Sequence, residues 1–282
     1  MTVFTLTSKG IARGTPDGLA LLETSYTSIG QAIRNHDLAG LERAATGQTL
    51  AWDAVQLLAP VRRPGKVVIV GLNYRDHARE IGVSLPEVPR FHLVAGSAVT
   101  ASGAGVTIPA AAPHHVDYEG ELAIVIGTTG ADIPERDAWD HIAGATAGND
   151  ISARDVQLGQ NSALGMASPS IAKSFDGFKP LGPSLMTTDE LRERLPLTIM
   201  TEVNGEVRQR SVTSEMVFGI PELVAFISRY LVLDPGDVIL TGTPAGIGMT
   251  TENYLRPGDT VDVIIDGIGR LRNRLVERSV TP

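Results

Sequence analysis

The chain contains no cysteine, which removes any disulfide framework and any thiolate ligand for a metal. No His-x-x-x-His or His-Glu-x-x-His spacing occurs either, so nothing favours zinc. There is no Gly-x-Ser-x-Gly elbow, which excludes the commonest serine-hydrolase route. The Gly-rich loop Thr241–Gly248 lacks a lysine and fits neither the phosphate-loop nor the dinucleotide fingerprint. No apolar run reaches the roughly 18 residues that mark a membrane span. The opening residues Met1–Gly10 lack the apolar stretch and cleavage pattern of a secretory signal, and a cytoplasmic protein is expected. Lysines and arginines form no cluster, and the formal net charge is -8. Nucleic acid and anionic membrane surfaces are therefore disfavoured as partners. Small molecules, or a second copy of the chain, remain.

With 282 residues, 43% of them hydrophobic, the chain can bury a sizeable core and has the length of one large domain or slightly more. Residues 1–62 read as a small N-terminal α/β unit. It has a short strand near Val3–Leu6, turn chemistry at Gly14 to Gly18, and a helix from Ser28 whose Ile29, Ile33, Leu38 and Leu41 stripe breaks at Asn35-His36-Asp37. Arg62-Arg63-Pro64-Gly65 reads as a linker. Residues 65–282 read as the main domain, opening with the buried strand Lys66–Gly71. Asn204-Gly205 between two alternating runs predicts a hairpin, Ser214 to Leu231 an amphipathic helix with Pro221 near its first turn, and Asp266-Gly267 the turn of a final strand pair. His36 reads as a surface or capping residue, His114 and His115 as loop residues, and His141 as structural.

The most informative stretch is Val116–Gly127. On a pleated strand Asp117, Glu119 and Glu121 share one face, while Val116, Tyr118 and Leu122 share the other. Converging carboxylates beside an apolar core need a cation or hydrogen-bond donors, and oxygen ligands suit Mg²⁺, Mn²⁺ or Ca²⁺. The same alternation also fits the solvated face of an edge strand. Further on, Asp150 follows the small, apolar run Ile142–Ala147 and could close a three-carboxylate site with Glu119 and Glu121. The Thr241–Gly248 loop follows a buried strand and would offer backbone N–H groups and the Thr243 hydroxyl to an anionic substrate.

Five segments resemble the fumarylacetoacetate hydrolase family in the same order and with similar spacing. They are Gly71–Glu80, Asp117–Leu122, Asn149–Gln157, Ala172–Asp176 and Thr241–Gly248. The resemblance implies an α+β, strand-rich fold, a mixed β-sandwich or β-roll catalytic domain behind the small N-terminal unit, and a homodimer. It also implies a metal-dependent enzyme acting on a β-dicarbonyl or 2,4-diketo acid, with Mg²⁺ or Mn²⁺ held by Glu119, Glu121 and Asp150. His77 and Glu80, at i and i+3 on a short helix, become a general-base dyad. Lys173 is implied to stabilise an enolate, and Arg154, Gln157 and Thr243 to bind substrate. The expected reaction is hydrolysis of a C–C bond by a His77-activated water, with decarboxylation or keto–enol isomerisation of the same enolate as the alternatives and a non-catalytic binding protein as the remaining one.

The chain departs from the family pattern at three places. Phe91–Ser97 has no lysine where many relatives have one near position 94. Ser168-Pro169-Ser170 stands where many have Gln-Trp. The strand Val68–Gly71 carries no carboxylate that could add a further metal ligand. Gly82 and the Pro86/Pro89 segment are expected to form a lid ending at Phe91.

Overall fold

The computed structural model describes residues 3–15, 18–159 and 164–277. Part of the Gly14 to Gly18 turn lies outside the described residues. Strands dominate, as expected for an α+β, strand-rich chain. The path through the largest sheet runs Thr46–Leu50, Gly18–Leu22, Gly10–Thr15, Val3–Thr7, Lys179–Thr187, Ile142–Asn149, Gly120–Ile126, Val238–Leu240, Val67–Gly71 and Arg90–Val94. A five-stranded sheet contains Glu206–Val212, Thr198–Val203, Thr260–Ile265, Gly269–Val276 and Gly105–Thr107. The leading strands continue the main sheet, because Val3–Thr7 pairs antiparallel with Lys179–Thr187. Two short helices follow them, Ile29–Arg34 capped by Ser28 and Leu38–Arg43 capped by Asp37. Each cap side chain accepts from an N–H three residues on, which explains the break in the stripe.

Gly120–Ile126 is fully buried because both of its faces are covered. Leu122, Ile124 and Ile126 pack with Ile199, Val263 and Ile265 of the second sheet. Ala123 and Val125, on the opposite face, pack with Phe4, Leu6 and the helix residues Ile29 and Ile33. The two layers approach closely at Gly120, where a Cβ would stand 2.1 Å from Thr201 Oγ1. Only glycine fits between Glu119 and Glu121 at that distance.

Asn204 and Gly205 both have positive φ, 54° and 82°, the geometry of a tight hairpin turn between Thr198–Val203 and Glu206–Val212. The helix expected from Ser214 to Leu231 is shorter. A 3-10 turn at Thr213–Glu215 precedes an α-helix at Ile220–Ser228. Pro221 sits in its first turn, where the missing N–H costs nothing, and restrains the residue before it from extending the helix backward.

Candidate active site

Strand register assembles the acidic cluster. Gly120–Ile126 and Ile142–Asn149 pair antiparallel, with Gly120 opposite Asn149 and Glu121 opposite Gly148. Just beyond the ladder, Asp150 N–H donates to the Glu119 carbonyl at 2.8 Å and Glu119 N–H to Asn149 Oδ1 at 3.0 Å. Glu119, Glu121 and Asp150 are all buried, and each offers an oxygen within 4.8 Å of the others. An oxygen-only set of this kind suits a hard divalent cation, and these three residues could hold one.

Asp117 does not join them, contrary to the alternation. The extended run is interrupted at Tyr118 and Glu119, and Val116–Asp117 pairs instead with Ser152–Ala153. The Asp117 carboxylate accepts from Gly248 N at 2.7 Å, Met249 N at 3.0 Å, and Arg154 Nε and Nη2 at 2.9 and 2.7 Å. It ties the end of the Thr241–Gly248 loop to Arg154.

Three buried cations offset the cluster. Arg154 Nη2 contacts Glu119 Oε1 at 2.6 Å, Lys173 Nζ contacts Glu119 Oε2 at 2.8 Å and also Asp150 Oδ2, and Lys179 Nζ lies 2.9 Å from Asp150 Oδ1. Burial alone would raise the Glu119 carboxyl, but Lys173 and Arg154 outweigh it and hold it below the ordinary range. Glu121 behaves oppositely. Burial, then Asp150 and Glu119, push it well above the usual carboxylate value, opposed by Lys173 and by the Gly242 N–H that donates to its Oε2 at 2.7 Å. Gly242 has φ +100°, and a Cβ there would stand 2.7 Å from Asn73 Cβ, so glycine is what lets the loop backbone reach Glu121. Burial also lowers Lys179 to about 8, with Asp150 pulling the other way. Burial would lower Lys173 too, but Asp150 and Glu119 keep it above its ordinary value.

His77 and Glu80 lie on the helix Arg75–Glu80, with His77 Nδ1 3.0 Å from Glu80 Oε2. Glu80 is itself pinned, since its Oε1 accepts from Gly246 N at 2.9 Å and Thr250 Oγ1 at 2.8 Å. A proton on Nδ1, donated to Glu80, leaves Nε2 as the basic nitrogen. His77, Glu119, Glu121, Arg154, Gln157, Lys173 and Thr243 line one cavity of about 480 Å³. Val83 and Ser84 of the expected lid segment line it as well.

The three residues expected to bind substrate are engaged with protein. Arg154 is committed to Asp117 and Glu119, and its Nη1 donates to Gln157 Oε1 at 2.6 Å. Thr243 Oγ1 donates to the Gly120 carbonyl at 3.0 Å and accepts from Gln209 Nε2 at 2.8 Å. Its single proton braces the acidic strand rather than a ligand. Ser168-Pro169-Ser170, one of the departures, starts the short helix Pro169–Ala172 that delivers Lys173.

Sequence reasoning missed Lys179 and His92. A lysine heading the mostly apolar strand Lys179–Thr187 was a usable signal, since a fully buried lysine needs a partner. His92 lines the cavity and its Nε2 is buried without a hydrogen bond. Its sequence signal was the alternation of Arg90 and His92 on a strand beside the expected lid. His115, expected in a loop away from the chemistry, faces a different cavity, paired with Asp155.

Comparison with known proteins agrees with this architecture. The mitochondrial oxaloacetate tautomerase FAHD2A of Bos taurus is 43% identical over 224 residues, 79% of this chain and 70% of that protein. The crystal structure of a 5-carboxymethyl-2-hydroxymuconate delta-isomerase from Mycobacterium smegmatis is 36% identical, with a TM-score of 0.77 over 99% of both chains. A fumarylacetoacetate hydrolase from Exiguobacterium antarcticum is 32% identical, with a TM-score of 0.83 over 98% of this chain and 100% of that one. The sequence pattern described as "Fumarylacetoacetate (FAA) hydrolase C-terminal" matches residues 66–276; the chain belongs to the fumarylacetoacetate hydrolase family.

Proposed function

We propose that this chain is a keto–enol tautomerase acting on oxaloacetate-type 2-oxo diacids. One observation carries the reading: a histidine oriented by a pinned carboxylate, His77 on Glu80, opens on the cavity lined by Glu119 and Glu121 of a buried three-carboxylate cluster. A single such base is sufficient for tautomerisation. Hydrolysis of a C–C bond, the first expectation, needs in addition a positioned water and a departing carbanion. The likeness to a protein named oxaloacetate tautomerase over most of the chain supports the alternative instead.

A divalent cation on Glu119, Glu121 and Asp150, Mg²⁺ or Mn²⁺ by the hardness of the donors, would supply Lewis acidity toward the 2-oxo acid. His77 Nε2 takes a proton from C3 of the keto form. The C–H electron pair becomes the C2–C3 π bond, and the carbonyl π pair moves onto the oxygen. The imidazolium, held by Glu80, returns the proton to that oxygen and yields the enol; the reverse sequence ketonises it. Lys173 and Lys179 offset the acidic cluster so that a dianion is not repelled, and Arg154 with Gln157 shapes the wall between Asp117 and Glu119.

The test follows enol-oxaloacetate absorbance with and without added Mg²⁺, with products identified by NMR. Metal-stimulated decay to ketone, with no CO₂ and no acid fragments, is expected. CO₂ as the main product, or cleavage of an acylpyruvate without tautomerisation, would overturn the reading. The homodimer implied by family resemblance is proposed alongside it, and monomeric sedimentation at micromolar concentration would refute that part.

A further inference from the structure

Arg90 and His92 have no role in the chemistry above, yet both line the candidate cavity. They are two residues apart on the strand Arg90–Val94, so their side chains leave the same face. Phe91 between them faces the other way, its ring 6.4 Å from that of Phe226 and 5.9 Å from that of Tyr230. That aromatic cluster, and the pairing of His92 with Ile69 across the ladder, fix the orientation of the strand.

Both side chains lack partners among the described residues. His92 Nε2 is buried without a hydrogen bond, a costly state unless something else occupies the site. The exposed Arg90 guanidinium forms no ion pair among the described residues. The cavity's other cations are already committed, Lys173 to Glu119 and Asp150, and Arg154 to Asp117 and Glu119. A second negative group on a ligand would therefore find an uncommitted cation, with an unpartnered imidazole beside it, on this strand.

We infer that Arg90 and His92 form the subsite for the distal carboxylate of a 2-oxo diacid. This pair discriminates a diacid from a 2-oxo monoacid of equal carbon number; the inference rests on the tautomerase reading for its substrate class. Burial, and then Lys173, push the His92 imidazole below its ordinary value. It meets the carboxylate as a neutral N–H donor, and Arg90 brings the charge.

The experiment measures binding of oxaloacetate and of 2-oxobutyrate by calorimetry in Mg²⁺, and tautomerisation of both, for wild type, Arg90→Gln and His92→Phe. Each variant should weaken oxaloacetate binding about tenfold or more, as for loss of a charge-assisted hydrogen bond, and change 2-oxobutyrate by no more than about twofold. The kcat for oxaloacetate should move far less than KM. Equal weakening of both ligands, or of neither, would overturn the subsite, as would a wild type with no preference for the diacid. Arg90 is exposed, so Arg90→Gln keeps the test valid if His92→Phe misfolds. Selectivity lost in the variants of a wild type that binds but does not tautomerise refutes the reaction and keeps the subsite; turnover with selectivity intact refutes the subsite and keeps the reaction.

Discussion

Glu121→Gln tests the electrostatics of the acidic cluster most directly. Glu121 is buried beside Asp150 and Glu119, and its carboxyl is pushed well above the ordinary value, while Gly242 N–H donates to an oxygen that an amide would also offer. A carboxyl whose pKa is raised in the fold binds its proton more tightly there than in the unfolded chain. Its stabilising contribution is complete at low pH and falls by about 1.4 kcal/mol per pH unit from the ordinary carboxylate value up to the raised one. Other groups titrate in different windows. Glu119, held low by Lys173 and Arg154 against its burial, completes its contribution by about pH 5. His92 is lowered by burial, so its opposite slope ends near an ordinary histidine value, and Lys179 at about 8 acts above that. Chemical denaturation of metal-free protein from pH 5 to 8 should show wild type losing stability relative to Glu121→Gln by about 1.4 kcal/mol per unit until Glu121 has ionised. Saturating Mg²⁺ should abolish the wild-type loss, because ligation requires the carboxylate and its affinity grows about tenfold per pH unit in the same window, a gain of about 1.4 kcal/mol per unit that offsets the loss. The variant should show neither effect. A difference that is flat, or that rises with pH, would refute the argument.

Gly120→Ala should destabilise the fold by about 1–3 kcal/mol, because its Cβ meets the buried Thr201 Oγ1 at 2.1 Å; a thermal melt unchanged from wild type would contradict the close layer contact. Glu80→Gln should lower tautomerase kcat by about 100-fold through loss of the carboxylate that orients His77 and stabilises its imidazolium, with Mg²⁺ affinity intact; kcat within a factor of about two would remove the dyad from the mechanism. Lys179→Met should destabilise the protein as well as weaken the cluster, since Asp150 Oδ1 loses a cation 2.9 Å away in a fully buried setting; stability equal to wild type by denaturant titration would show that Lys179 contributes nothing there.

The parts of the fold that follow from local chemistry were legible in the sequence. Asn204-Gly205, the helix start at Ser28, and the buried run after Gly120 all stand where propensity and period put them. What periodicity could not give was a break inside a short alternating run. Asp117 follows the same period as Glu119 and Glu121, but pairing with Ser152 turns its strand away before the ladder of Gly120–Ile126 begins. Commitment of polar groups was equally invisible. Arg154 and Thr243 carry donors suited to a substrate, and only three-dimensional neighbours reveal that Asp117, Glu119, Gln157 and Gly120 already accept from them. The converse holds for His92, which reads as one polar residue on an edge strand and proves to be an unpartnered donor inside the cavity.

On the tautomerase reading proposed here, the reaction differs from the expected hydrolysis while the candidate residues stay the same. A hydrolase must hold a water beside its base, and stabilise a carbanion after the bond breaks; the lysine that many relatives carry near position 94 is absent here, where Val94 is buried in the apolar core. Lys173, the expected stabiliser of that carbanion, is locked between Glu119 and Asp150. With these two cations unavailable, the cavity still presents a base at His77 and uncommitted groups at Arg90 and His92. That set would suffice for the proposed proton transfer on a bound diacid, which breaks no bond between carbons and makes a correspondingly smaller demand on charge stabilisation.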